Sequence, residues 1–300
     1  MKRNTYKYGF IKAILDNIFN SKEIPEGFYI SYLELFSKFA ENYWNLVAKY
    51  SIKQMRRDNK SEYSRIEVII NNMVKGSSEL SQIEFHSLEK SLKDEMIKQV
   101  MKECSRTVLG ALYEDFEGLV YGFDIKGTGI TISPSAYIYI TSHKVELEKL
   151  NYYSWAKFLE KINSDEATIR LLAKLELATP KRNNLAKYRE YLRDIQGEKD
   201  CFYCEKELSK TAHVDHFIPW SFIKDDKIWN LVLACPRCNI MKRDKLPPHE
   251  YIKKIIKRNE LRRKQKESPF IEEFTSYRVR ELGEIWQHAR RSGYKEMNKI

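Results

Sequence analysis

The chain has 300 residues, of which 42% are hydrophobic, enough to bury a real core and to exclude a wholly disordered protein. Lys and Arg outnumber Asp and Glu by 53 to 42, a formal net charge of +11, which favours a polyanionic partner. No apolar run reaches the roughly 18 residues of a membrane span, and Lys12, Asp16 and Asn17 interrupt the N-terminal segment before it can form a signal-peptide core. The expectation is therefore a cytoplasmic protein with no membrane partner, in whose reducing surroundings paired cysteines point to metal more than to disulfides.

In chain order, about the first 115 residues read as helices. Leu33, Leu35, Phe36, Phe39, Tyr43, Leu46 and Val47 recur at helical spacing and give one broad apolar face. Further helices are expected at 62–75, 80–102 and 105–114, with the lone Cys104 as a buried small hydrophobe. The segment 118–134 is richer in β-branched and aromatic residues and is broken by Gly127 and Gly129, which predicts a hairpin or extended loop. Pro134 suits the first turn of a helix through about Lys149. Helices are then expected at 153–162, 165–178 and 184–195, with Pro180 between the last two.

Gly197 marks an expected boundary, and the pattern beyond it becomes cysteine-rich until Pro247 and Pro248. Two charged helices, about 249–266 and 270–291, close the chain. The expected domains are a mainly helical region over 1–196 for docking, dimerisation or partner binding, a small metal domain over 197–248, and a basic helical extension over 249–300.

Cys201 and Cys204, then Cys235 and Cys238, form two C-x-x-C knuckles with thirty residues between them. A two-residue spacer lets one tight turn present two thiolates, and two such turns complete a tetrahedral zinc site. Four cysteine ligands close the coordination sphere, so this zinc should hold the fold and take no part in catalysis. The spacing exceeds that of a plain zinc ribbon, so something is inserted between the knuckles.

The insert reads as strand, long loop, strand, helix. Val214, Phe217 and Ile218, set against Asp215 and His216, read as a short strand ending at Pro219; residues 230–234 form the second strand; Pro236 opens a helix carrying Asn239, Lys242 and Arg243. With Asp215-His216, Pro219, Asn230-Leu231 and Cys238-Asn239 in that order, the segment resembles the HNH, or ββα-metal, nuclease family, including the HNH domain of RNA-guided CRISPR nucleases. The resemblance implies a small zinc-stapled ββα-metal domain, and with the helical patterns on either side the expected fold is α+β, mostly α: a helical N-terminal region, that domain and a basic helical C-terminal extension.

It also implies roles. His216 would be the general base, Asp215 and Asn239 the ligands of a catalytic Mg²⁺ or Mn²⁺, and Asn230 the residue that braces the loop bearing the histidine. His213 shares a strand face with Asp215 by alternation and would touch metal or phosphate, or pack near the knuckle. Lys242 and Arg243 would contact phosphates or form a solvated basic face. Residues 241–266 hold eleven Lys/Arg against three acids, and Lys253, Lys254, Lys257, Arg258, Arg262 and Arg263 are candidates for nucleic-acid binding, with a membrane surface as the competing reading. The expected function is a DNA endonuclease, RNA not excluded, of the restriction or anti-phage kind, working as a homodimer or with an ATPase or sensor partner. The rivals are a non-catalytic zinc-dependent nucleic-acid-binding module and a nuclease subunit active only with its regulator.

Overall fold

The structure is a computed structural model that describes residues 4–57, 61–177, 184–195, 197–209, 212–264, 269–274 and 277–299. The chain forms two compact units, Met1–Lys181 and Arg182–Ile300. The expected segments 197–248 and 249–300 thus lie in the second unit together with 184–195. Pro180 and residues 265–266 lie outside the described residues.

The first unit is built on α1 (Tyr6–Asn17), which is buried nearly all round. It is followed by β1 (Lys22–Ile24), β2 (Gly27–Ser31) and α2 (Tyr32–Trp44), which continues as a π-turn over Asn45–Lys49. Ser31 and Glu34 close a capping box that starts α2, and its buried Leu35, Phe36, Phe39 and Tyr43 include much of the apolar face expected from the sequence. Then come α3 (Arg65–Val74), α4 (Ser78–Gln82), α5 (Lys90–Asp115), β3 (Tyr121–Phe123), β4 (Gly129–Ile132), α6 (Pro134–Ser142), α7 (Lys144–Leu159), α8 (Asp165–Thr168) and α9 (Leu171–Leu177).

The expectation that the first 115 residues are all helical fails at 22–31. There β1 and β2 form a hairpin that joins β3 and β4 in one sheet of order β1-β2-β4-β3, antiparallel throughout. The turn at Gly27 has φ +146, and a Cβ there would meet the Ile132 carbonyl oxygen, so glycine is required. Helices expected at 80–102 and 105–114 are one helix, α5, while the one expected from Pro134 through Lys149 divides at His143. Gly9 of α1 lets the ring of Tyr43 lie against its backbone; a Cβ would meet that ring at 2.3 Å.

The second unit contains α10 (Ala186–Glu190) with a π-turn over Tyr191–Ile195, β5 (His213–His216), α11 (Trp220–Ile223), β6 (Leu231–Ala234), α12 (Pro236–Lys242), α13 (Tyr251–Arg263) and α14 (Val279–Arg291). Strands β5 and β6 pair antiparallel, with His213 opposite Ala234 and His216 opposite Leu231. Pro236 at the first position of α12 supplies the helix start expected of it.

The C-terminal segment is part of this unit's scaffold. Leu246 bridges Glu296, Trp286 Nε1 donates to the Pro247 carbonyl, and Tyr294 and Ser221 join their hydroxyls at 3.0 Å. Among the described residues no helix is long and apolar enough to cross a membrane.

Candidate functional site

The two knuckles meet beside β6. The Phe202 N–H donates to the Leu233 carbonyl and the Cys201 N–H to the Lys206 carbonyl, which folds the first knuckle over the strand. Cys235 is the N-cap of α12 and Cys238 lies in its first turn. The four cysteine sulfurs lie within 4.8 Å of one another, with Cys204 Sγ and Cys235 Sγ 3.9 Å apart.

Four sulfurs at tetrahedral angles and about 2.3 Å from a zinc ion stand about 3.8 Å apart, so the cluster fits that ion. Burial and the neighbouring thiols push the Cys238 thiol up, a penalty that a divalent cation among the sulfurs would reverse. Among the described residues, this is the group of three or more His, Cys, Asp and Glu placed to hold a metal.

β5 carries Asp215 and His216, both buried. Lys242 of α12 reaches back to β5 and is completely buried there. Its ammonium lies 3.0 Å from Asp215 Oδ2 and 3.2 Å from Oδ1, and donates to the His216 carbonyl at 2.6 Å. The Tyr203 hydroxyl donates to Asp215 Oδ2 at 2.5 Å, and burial with the adjacent carboxylate raises its pKa well above the ordinary value. Lys242 is therefore not a phosphate contact on an exposed helix face. It is the counter-ion of a buried carboxylate, and exposing it would strand that charge.

His216 Nε2 lies 2.7 Å from Asp226 Oδ1, and both side chains are almost fully buried. With the carboxylate accepting from Nε2–H, Nδ1 keeps the lone pair. Asp226 is braced in turn, because the Tyr188 hydroxyl donates to its carbonyl at 2.6 Å. Glu273 Oε1 also lies 2.9 Å from that hydroxyl, and Oε2 accepts from the Ile228 N–H at 2.7 Å. One hydroxyl proton cannot serve both acceptors. Burial is the largest influence on the Glu273 carboxyl and raises its pKa above the ordinary value.

Asn230 is completely buried and clamps the loop after β5. Its Oδ1 accepts from the Ile218 N–H and its Nδ2 donates to the Ile218 carbonyl, each at 2.9 Å, while its own carbonyl accepts from the Phe217 N–H. The Asn239 amide is 2.9 Å from Nδ1 of the exposed His213, and with that amide donating, Asn239 Oδ1 is left as an acceptor. The two strands lie between the cysteine knuckles, and the helix starts from the second knuckle. Residues 201–248 match the HNH endonuclease family. The match to that family spans these residues alone, and no curated protein and no solved structure matches the chain.

Outside the matched segment, the basic residues of α13 divide between two faces. Ile252, Ile255, Asn259 and Arg262, spaced three and four apart, point inward. Arg258 gives its guanidinium to the Leu231, Ile228 and Trp229 carbonyls, and Asn259 donates to the last of these. Arg262 pairs with Glu198. Burial lowers both arginines to about 10, still charged near neutral pH.

Half-buried Lys254 donates to the Phe202 carbonyl and to Glu205. Arg258 and Arg262 are thus structural and not the nucleic-acid contacts expected of them, because they satisfy carbonyls and an acid that the metal domain would otherwise leave bare. Arg243, Lys253, Lys257 and Arg263 are exposed. The sequence reading missed Asp226, Tyr203, Tyr188 and Glu273; of these, Tyr203 stood inside the first cysteine knuckle and Asp226 in the insert, unmarked beside Asp225.

Proposed function

We propose that this protein is a divalent-metal-dependent endonuclease that hydrolyses DNA phosphodiester bonds, with His216 as the base that takes a proton from the attacking water. The observation that carries the reading is the His216–Asp226 pair inside an HNH domain. The water proton passes to Nδ1, its oxygen attacks phosphorus, and the Asp226 carboxylate stabilises the imidazolium that results. Asn230 keeps the chain after His216 from shifting, which holds the ring's position.

The side chains beside His216 suit a hard cation. Asp215 offers a carboxylate that already faces one positive charge, the Lys242 ammonium, and Asn239 offers an amide oxygen. When bound there, Mg²⁺ or Mn²⁺ would neutralise charge building on the phosphate and assist the departing oxygen. The four-cysteine zinc, closed to further ligands, serves only the scaffold. Arg243, Lys253, Lys257 and Arg263 would supply phosphate contacts, and a restriction or anti-phage role extends the family reading.

The test is plasmid nicking and linearisation with Mg²⁺ or Mn²⁺ against EDTA, wild type beside His216→Ala, with an RNA substrate in parallel. Metal-dependent plasmid cleavage lost in the variant is expected. Cleavage indifferent to EDTA or retained by His216→Ala, or DNA binding without any cleavage, overturns the proposal.

A further inference from the structure

The outward face of α7 carries Glu146, Leu150, Tyr153 and Lys157, all exposed, at spacings of four, three and four residues that set them on one stripe. Leu150 is 62% and Tyr153 60% exposed, large apolar side chains in open solvent at the middle of the helix. Tyr139 of α6 is also exposed and lines, with Leu147 and Leu150, the same apolar cavity of about 340 Å³ between α1 and α7. The apolar surface therefore continues beyond the stripe, as interaction patches do.

The order along the stripe is acid, apolar, apolar, base. Two helices related by a two-fold axis across them run antiparallel, and each residue then meets one whose number sums with its own to a constant. With the axis between Asn151 and Tyr152, Glu146 faces Lys157 of a second copy and Leu150 faces Tyr153 of that copy. Both charged pairs are then attractive and both apolar pairs are in contact. A parallel two-fold pairing would instead set Glu146 against Glu146 and Lys157 against Lys157.

We infer that the α7 stripe is an isologous homodimer interface, occupied by α7 of a second copy of this chain in antiparallel register. The self-complementary charge order selects a second copy over an unrelated partner. Lys157 lies over the Tyr153 ring at 6.0 Å and 3.5 Å from Glu160, which holds its ammonium beside the stripe.

The experiment measures the mass of the full chain by sedimentation at micromolar protein, for wild type, Glu146→Lys, Lys157→Glu and an equimolar mixture of the two variants. The wild type should dimerise, and each reversal should raise its dissociation constant about tenfold or more, since two symmetric pairs turn repulsive. The mixture should recover a dimer, because Lys at 146 of one chain then meets Glu at 157 of the other, and Lys157 of the first meets Glu146 of the second. Any loss of helix stability caused by the substitutions persists in the mixture, so recovery reads the interface alone. A monomeric wild type, a dimer indifferent to both reversals, or a mixture that stays dissociated overturns the inference.

Discussion

His216 Nε2 and Asp226 Oδ1 lie 2.7 Å apart, the end of a strand joined to a carboxylate in the loop that follows it. Asp226→Asn offers an amide in place of the carboxylate and loses the charge that supports a protonated ring. Single-turnover plasmid cleavage should fall on the order of 10²-fold or more, with DNA affinity nearly unchanged. Asp226→Glu should restore part of the rate. Equal cleavage by wild type and Asp226→Asn would show that the pair has no part in the chemistry.

Lys242 and Asp215 form a buried pair in which neither charge has water as an alternative. Lys242→Met leaves the carboxylate uncompensated and should cost about 3 kcal/mol in urea unfolding. Mg²⁺ or Mn²⁺ should narrow the difference between variant and wild type, since a cation at Asp215 replaces the lost charge. A variant as stable as wild type in EDTA would contradict this account of Lys242.

One zinc per chain is expected by elemental analysis. Cys235→Ser should lower that content and unfold the second unit, while the circular dichroism of the helical first unit persists in large part. The zinc site would be refuted by full zinc content and an unchanged melting curve in the variant.

Glu273 has a pKa raised by burial, so the folded state holds its proton over a range of pH in which the unfolded chain has released it. Its contribution to stability is full below the ordinary carboxylate pKa and is lost as pH rises through the raised one. Glu273→Gln keeps an acceptor for the Ile228 N–H and a donor for Tyr188 at every pH. Its melting temperature relative to wild type should therefore climb as pH increases from about 4.5. A difference that stays flat or shrinks with pH would mean that Glu273 is ionised in the fold.

The two faces of α13 should separate experimentally. Lys253→Gln with Lys257→Gln removes exposed charge and should weaken DNA binding and flatten its dependence on salt, with stability unchanged. Arg262→Leu, which strands Glu198, should lower the melting temperature instead. If the pair at 253 and 257 leaves the salt slope untouched, this helix does not contact the phosphate backbone.

Much of the site could be read from local spacing. The two cysteine pairs, the strand carrying Asp215 and His216, and the helix opened by Pro236 each depend on near neighbours, and the structure keeps them, although the strand ends at His216 and not at Pro219. The β1–β2 hairpin was less legible, since its strands are three and five residues long and alternate weakly; Pro25 and Gly27 were the available signal. The burial of Lys242, Arg258 and Arg262 had no local signature. A lysine on this helix looks the same in sequence whether its partner is phosphate or Asp215.

The amino-acid sequence by itself determined the two cysteine knuckles, the strand-loop-strand-helix order from the first through the second, and the place of His216 next to Asp215, because each rests on residues spaced along a few turns of chain. Only the tertiary structure decided which charges are used inward. Asp226 reaches His216 across a loop, Tyr188 and Glu273 close on it from distant segments, and the basic helix turns half its charge toward carbonyls and a carboxylate of the metal domain. Those partnerships depend on desolvation, which a buried charge must answer with a partner and an exposed one need not.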